Sequence, residues 1–202
     1  MLRRRKPDAQ WNTNGVFFKR RFQLLASFVD KSGSLTYQVP SSFVAVSSVE
    51  SRDPVVIVTG SSSGIGRAVC ARLAKTGVAV ISVDRNDAPA DIDIATHFGC
   101  DLSDSDAIKK LIRDLDYQFD PATFASLINV AGVPGTQPAS TVLEVNLLAV
   151  RSLSRAFSSR FSAGASIVNI GSISGNAWQQ RLDVHRFLLE LDDDQAREWW
   201  SE

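Results

Sequence analysis

Three glycines in one short segment form the clearest chemical pattern in the sequence. Gly60, Gly64 and Gly66 lie in Thr59-Gly60-Ser61-Ser62-Ser63-Gly64-Ile65-Gly66. Glycines let a backbone turn tightly beside a ligand, and the free N–H groups that begin a helix attract negative charge. The spacing differs from the general Gly-x-Gly-x2-Gly dinucleotide fingerprint, so the prediction depends on the strand before the turn and the helix after it. We predict a pyrophosphate-binding turn; the alternative is a tight turn that binds nothing.

An acidic residue at the end of the second apolar run supports this prediction. Asp84 follows Val78–Val83, where a carboxylate can accept the ribose hydroxyls of an adenosine. A carboxylate there would repel a 2′-phosphate, which favours NAD as the cofactor. Arg85 follows directly and weakens this preference, so NADP stays possible.

The chain from Val55 to about Ser174 resembles the short-chain dehydrogenase/reductase family, in which Thr-Gly-x3-Gly-Ile-Gly is the cofactor turn. The resemblance implies cofactor-binding roles for the turn, the acid after it, an Asp-Leu pair and the end of a later strand. These residues are Gly60, Ser62, Ser63, Gly64, Ile65, Gly66, Asp84, Arg85, Asp101, Leu102, Asn129, Ala131 and Gly132. Asn129 would also support the central sheet.

The same resemblance implies two catalytic residues. Ser172 would hydrogen-bond the reacting oxygen of an alcohol or carbonyl substrate, and Asn146 would hold a proton-relay water. Each has a structural alternative: Asn146 could be a core amide bonded to backbone, and Ser172 could cap a strand. No metal site is predicted.

A narrower resemblance is to coniferyl-alcohol dehydrogenases and bacterial 3α-hydroxysteroid dehydrogenases. It lies in residues 129–136 and 166–175 and in Trp178 with the residues that follow it. The resemblance implies a small alcohol or carbonyl substrate, such as an aromatic allylic alcohol or a hydroxysteroid. Trp199 and Trp200 could line a pocket for a flat alcohol, but we expect them to pack in the core.

The Tyr-x3-Lys pair that performs acid/base chemistry in this family does not occur in the sequence. The tyrosines are Tyr37 and Tyr117, and no lysine follows Lys110. Four-residue spacing stacks the two side chains on a helix, so that the ammonium lowers the phenol pKa. We therefore expect a C-terminally truncated enzyme. A dinucleotide-binding module without catalysis is the alternative.

The predicted elements place these residues at one edge of a sheet. Strands and helices alternate, which is typical of a parallel sheet with helices on both faces. The predicted strands are Val55–Val58, Val78–Val83, Ala95–Cys100, Ala125–Val130 and Ser166–Ile170, and helices are predicted over Gly64–Lys75, after Asp104 and over Thr141–Phe161. We predict a doubly wound, Rossmann-type α/β fold that is incomplete at its C-terminal side. Strand order 3-2-1-4-5 leaves the fifth strand at an edge, unless the acidic tail covers it.

Composition excludes several function classes. The 202 residues carry 22 Lys or Arg and 22 Asp or Glu, so no net charge directs the chain to nucleic acid or a membrane surface. No apolar run approaches the ~20 residues of a transmembrane helix. Cys70 and Cys100 lack metal-site spacing, which predicts buried thiols in a reducing, cytoplasmic location. For the complete enzyme we expect a homo-oligomer.

Charge marks the two ends of the chain. Residues 1–52 carry nine Lys or Arg against three acids, and residues 181–202 carry seven acids against three arginines. We predict a poorly ordered basic leader over residues 1–52 and a dinucleotide-binding domain over residues 53–202. A targeting presequence or a nucleic-acid-binding arm are alternatives for the leader.

Overall fold

The computed structural model of the chain describes residues 28–29, 35–36, 54–161 and 164–201. The chain divides into two units, Met1–Val44 and Ala45–Glu202. In the first unit, strand β1 (Phe28–Val29) pairs antiparallel with β2 (Leu35–Thr36). The rest of the predicted leader lies outside the described residues.

The second unit is built on a five-stranded parallel sheet. Its strands are β3 (Val55–Thr59), β4 (Ala79–Asp84), β5 (Thr96–Gly99), β6 (Phe124–Asn129) and β7 (Ser166–Asn169). They lie in the order β5-β4-β3-β6-β7. The order reverses between β3 and β6, where doubly wound sheets form a ligand crevice at the carboxyl ends of their strands. The predicted fold class and strand order are confirmed, and β7 is an edge of this sheet.

Helices connect the strands and continue beyond the last one. The α-helices are α1 (Gly64–Ala74), α2 (Ser105–Gln118), α3 (Ala139–Leu143), α4 (Val150–Ser158), α5 (Leu182–Glu190) and α6 (Asp193–Ser201). A short 3-10 helix spans Pro121–Thr123, and 3-10 turns with a kink at Ala177 span Ile173–Arg181. The long helix predicted over Thr141–Phe161 is interrupted by a π-helical segment, Glu144–Ala149. Such turns occur frequently at functional sites.

Apolar side chains on both faces of the sheet explain why β3 is a continuous apolar run. Val55 and Ile57 point into a cluster with residues of α2 and α4, whereas Val56 and Val58 point into a cluster under α1. In the first cluster the rings of Phe124 and Phe157 pack edge to face, with their centroids 5.3 Å apart. Full burial of such a side chain contributes about 1.5–3 kcal/mol.

The acidic tail forms a helical pair that packs on other helices. Leu188 of α5 and Ala196 of α6 join Leu143 and Leu148 in a third buried cluster. The tail therefore packs on α3 and the π-helical segment, and Val168 of the edge strand is 42% exposed. Among the described residues, no helix is long and apolar enough to cross a membrane.

The two adjacent tryptophans contradict one expectation. Trp199 and Trp200 are 37% and 38% exposed, so the predicted core packing is wrong. Their rings instead pack edge to face, with their centroids 5.8 Å apart. The ring of Phe187 on α5 also packs edge to face with the indole of Trp199. Adjacent residues of a helix point in different directions, so α6 cannot turn both indoles toward one buried face.

Candidate functional site

The glycine-rich turn between β3 and α1 requires glycine for two different reasons. Gly60 has φ +67°, and a Cβ there would lie 2.7 Å from the Cα of Ala131. A Cβ on Gly66 would lie 2.0 Å from the carbonyl oxygen of Gly60, so the helix packs directly on the turn. Gly64 has φ +52° but faces open space, where a ligand can approach the backbone.

The first turn of α1 is open to an anion. Ser63 precedes the helix without a capping hydrogen bond from its side chain, and no acidic residue lies in the first turn. At α2, in contrast, Asp104 accepts hydrogen bonds from the N–H groups of Asp106 and Ala107. The first amides of a helix have no partner within the helix, and the helix dipole favours negative charge there. The start of α1 therefore fits a phosphate group.

Asp84 presents a fixed carboxylate beside this turn. It is 8% exposed at the end of β4. Its Oδ2 accepts from the N–H of Ser62 at 3.0 Å, and its Oδ1 accepts from the N–H of Asn86 at 3.0 Å. Burial alone would raise the pKa of Asp84, but the N–H groups of Asn86 and Ser62 outweigh it and hold the pKa below its ordinary value. The side chain is thus anionic at neutral pH.

A cleft of ≈ 320 Å³ joins the turn to the carboxyl ends of β4, β5 and β6. It is lined by Gly60, Ser62, Ser63, Gly64, Ile65, Gly66, Asp84, Arg85, Asn86, Cys100, Asp101, Leu102, Val130, Ala131, Gly132, Val133 and Val145. Every predicted cofactor residue except Asn129 is in this set. Five further residues line the cleft and are not among the predicted cofactor residues: Asn86, Cys100, Val130, Val133 and Val145. The first four adjoin predicted cofactor residues, and Val145 adjoins Asn146, for which a catalytic role is predicted.

Asn129 lies beneath the cleft. It is 3% exposed, and its Nδ2 donates to Oδ1 of Asn169 on β7 at 2.8 Å and to Oγ of Ser154 on α4 at 3.3 Å. Nearby, Oγ1 of Thr59 accepts from the N–H of Ala131 at 3.2 Å. These hydrogen bonds connect β6 and the residues that follow it to α4, β7 and β3, and they stabilise the part of the sheet beneath the cleft.

The two predicted catalytic residues do not line the cleft. Asn146 lies in the π-helical segment, where its Oδ1 accepts from the N–H of Val133 and its Nδ2 donates to the Val133 carbonyl, both at 2.9 Å. The amide is thus bonded to backbone, as in the structural alternative, although it is exposed and not in the core. Ser172 follows β7 and is exposed. Neither Trp199 nor Trp200 lines this cleft.

Comparison with known proteins agrees with the fold. The family model described as short chain dehydrogenase matches residues 54–183. The coniferyl-alcohol dehydrogenase of Pseudomonas sp. (strain HR199 / DSM 7063) is 40% identical over 133 residues, covering 66% of this chain and 49% of that protein. A 3beta-hydroxysteroid dehydrogenase of Mediterraneibacter gnavus is 33% identical over 101 residues, covering 46% of this chain and 36% of that protein.

Solved structures show the same likeness. A 4-hydroxyisoleucine dehydrogenase complexed with NADH aligns with a TM-score of 0.53 and 29% identity, covering 61% of this chain and 58% of that one. The bulky-bulky ketone specific alcohol dehydrogenase from Comamonas testosteroni aligns with a TM-score of 0.53 and 27% identity. The alignment covers 63% of this chain and 58% of that one. The chain spans about half the length of its coniferyl-alcohol dehydrogenase relative. With the doubly wound sheet and the glycine turn, the match over residues 54–183 shows that the chain belongs to the short-chain dehydrogenase family.

Proposed function

We propose that the chain binds a nicotinamide dinucleotide in the cleft between the glycine turn and the ends of β4, β5 and β6. The observation that carries this proposal is the meeting of the uncapped start of α1 and the buried carboxylate of Asp84 in one cleft. The turn would hold the pyrophosphate, Asp84 the adenosine ribose, and Asp101 and Leu102 the adenine. Ala131 and Gly132 would face the nicotinamide half. A structural relative complexed with NADH supports the assignment.

NAD is the preferred form in this proposal. Ser62 and Asn86 hold the Asp84 carboxylate in place and keep it ionised. A phosphate on the 2′-oxygen would approach that negative charge, whereas a free hydroxyl would donate to it. Arg85 lines the same cleft and reduces the discrimination against NADP.

For the whole protein we propose oxidation or reduction of an alcohol/carbonyl pair. When bound, the nicotinamide ring would accept or donate the hydride. Ser172 would hydrogen-bond the reacting oxygen, and Asn146 would hold the cleft wall and a relay water. The 40% identity to a coniferyl-alcohol dehydrogenase favours an aromatic allylic alcohol, and the hydroxysteroid dehydrogenase relative makes a hydroxysteroid the second choice. A homo-oligomer and a cytoplasmic location stay predictions from the sequence.

A second candidate is a module that binds the dinucleotide without catalysis. The sequence contains no Tyr-x3-Lys. The amide of Asn146 is engaged by Val133 at both of its polar atoms, and Ser172 does not line the cleft. These observations favour binding over turnover in the 202-residue chain.

Calorimetric titration of the purified chain with NADH, followed by an assay of coniferyl alcohol oxidation with NAD, tests both candidates. We expect NADH to bind, and Gly64→Val to abolish binding because its side chain would occupy the open face of the turn. Asp106→Ala, an exposed carboxylate on α2, is the control and should bind normally. Absence of NADH binding by the unmodified chain would overturn the proposal. Turnover above background would exclude the module without catalysis.

A further inference from the structure

One buried arginine fastens the C-terminal helix pair to α4. Arg151 is 8% exposed, and its Nε donates to Oδ1 of Asp193 at 2.8 Å. Its Nη1 donates to the carbonyls of Leu188 at 3.0 Å and Leu191 at 2.9 Å, at the end of α5. Ser152 Oγ also donates to Asp193, at 2.8 Å. The side chain of Arg151 therefore caps the C-terminal end of α5 and binds the first residue of α6.

A second ion pair connects α6 to the π-helical segment. Arg197 Nε donates to Oε1 of Glu144 at 2.6 Å, and Nη2 donates to Oε2 at 3.0 Å. The two side chains are 29% and 18% exposed. Nη1 of Arg197 also donates to Asp194 at 2.9 Å. The hydrogen bonds that Arg197 donates to the Glu144 carboxylate raise the pKa of Arg197. Paired, partly buried arginine–carboxylate contacts of this kind fix geometry as well as adding attraction.

The position of Glu144 makes this pair relevant to the cleft. Val145, the next residue, lines the cleft. Asn146, the residue after it, holds Val133, which lines the same cleft. Three consecutive residues of the π-helical segment thus connect α6 to two residues of the cleft wall, Val145 and Val133.

We propose that Arg197 is a positioning residue for dinucleotide binding. Through Glu144 it holds the π-helical segment in the register that places Val145 and the Asn146–Val133 bonds at the cleft. A π turn carries one residue more than the α-helix around it, so an external tether can decide whether that register persists. The inference rests on the proposed function, because it concerns the affinity of the same cleft. Coupling is reciprocal, so a dinucleotide in the cleft must also tighten α6.

The test measures NADH affinity of the whole chain after breaking the pair. Arg197→Met should weaken NADH binding about three- to tenfold, the usual size for a residue that acts through another. Glu144→Gln should act in the same direction, and the double variant should be little worse than either single one, since both remove one interaction. Arg197→Lys, which keeps a charge at the same place, should restore part of the affinity.

The chain offers a matched control. Arg160 donates to both carboxylate oxygens of Asp116, each at 2.7 Å, and these side chains are 26% and 28% exposed. The pair joins the last turn of α2 to the residues that directly follow α4. These helices run antiparallel to the strands, so the pair lies at the opposite end of the sheet from the cleft. Arg160→Met should lose comparable stability and leave NADH affinity unchanged.

Hydrogen exchange separates positioning from stability alone. In the unmodified chain and in Arg160→Met, NADH should slow amide exchange in α6; in Arg197→Met it should not. Equal NADH affinity of Arg197→Met and Arg160→Met, or no effect of NADH on α6 in the unmodified chain, would overturn the inference while the proposed function stands. No NADH binding by the unmodified chain would instead overturn the proposed function. Should Arg197→Met fail to fold, Glu144→Gln and exchange in the unmodified chain decide the matter.

Discussion

The hydroxyl of Ser82 lies 2.9 Å from Nδ1 of His97, its partner in the parallel pairing of β4 and β5. On its other side, the same hydroxyl lies 2.6 Å from Oγ of Ser61, which is fully buried in the glycine-rich turn. The three side chains form a hydrogen-bonded path from β5 to the turn. It gives Ser61 and Ser82 partners where they have no access to water.

Ser82→Ala should therefore destabilise the fold. It leaves the buried hydroxyl of Ser61 without this partner, which lowers the free energy of unfolding by about 1–3 kcal/mol. Urea denaturation followed by circular dichroism measures the loss. Ser166→Ala is the control, because it removes one hydroxyl of the exposed Ser126–Ser166 pair and should change stability by less than about 0.5 kcal/mol. Equal losses in the two variants would contradict the burial argument.

Gly66→Ala should abolish dinucleotide binding. Its new methyl group would lie 2.0 Å from the Gly60 carbonyl oxygen, so the turn or the helix must move. Gly99→Ala adds the same methyl group at the end of β5, where nothing lies within 4 Å, and should bind NADH normally. Calorimetry with NADH compares the two variants, and retained affinity in Gly66→Ala would show that the turn adapts.

Asp84→Ala should narrow the preference for NADH over NADPH by about tenfold, the effect of losing one or two charge-assisted hydrogen bonds to the ribose. The two dissociation constants are measured in parallel on the same variant. Asp106→Ala, which removes an exposed carboxylate from α2, should keep the original ratio. A ratio that Asp84→Ala leaves unchanged would assign cofactor choice to Arg85 or another residue.

The two buried cysteines should lower the free energy of unfolding at high pH. Burial raises the pKa of the thiols of Cys70 and Cys100 to about 11. An exposed thiol in the unfolded chain titrates near pH 8.5, so the unfolded state loses its proton first. The stabilisation is complete below about pH 8.5 and is lost as the pH rises toward 11.

Urea denaturation between pH 8 and pH 10.5 in reductant measures this alkaline loss. The Cys70→Ala variant should have a lower free energy of unfolding at every pH because the substitution leaves a small cavity. Its free energy of unfolding should nevertheless fall less steeply between pH 8 and pH 10.5, because one buried thiol is gone. An identical slope in the variant and the unmodified chain would show that other groups cause the loss.

The residues that line the cleft show how much of a site can be predicted from sequence patterns. The turn glycines, Asp84 and the Asp101–Leu102 pair were all predicted, because local motifs follow successive strands whose carboxyl ends meet at one edge. Val133 and Val145 were not predicted. Both are ordinary valines, and their place in the cleft wall depends on the Asn146 amide and the π-helical segment.

The sequence by itself determined the alternation of strands and helices, the strand order, the glycine-rich turn and the family. These features depend on apolar periodicity and on short motifs, which are local. Only the tertiary structure decided that Asn146 bonds to the backbone of Val133, that Arg197 on α6 reaches Glu144, and that Trp199 stays partly exposed. Such contacts join elements whose separation along the chain leaves no period in the sequence. They are set by how the helices pack once the sheet has formed.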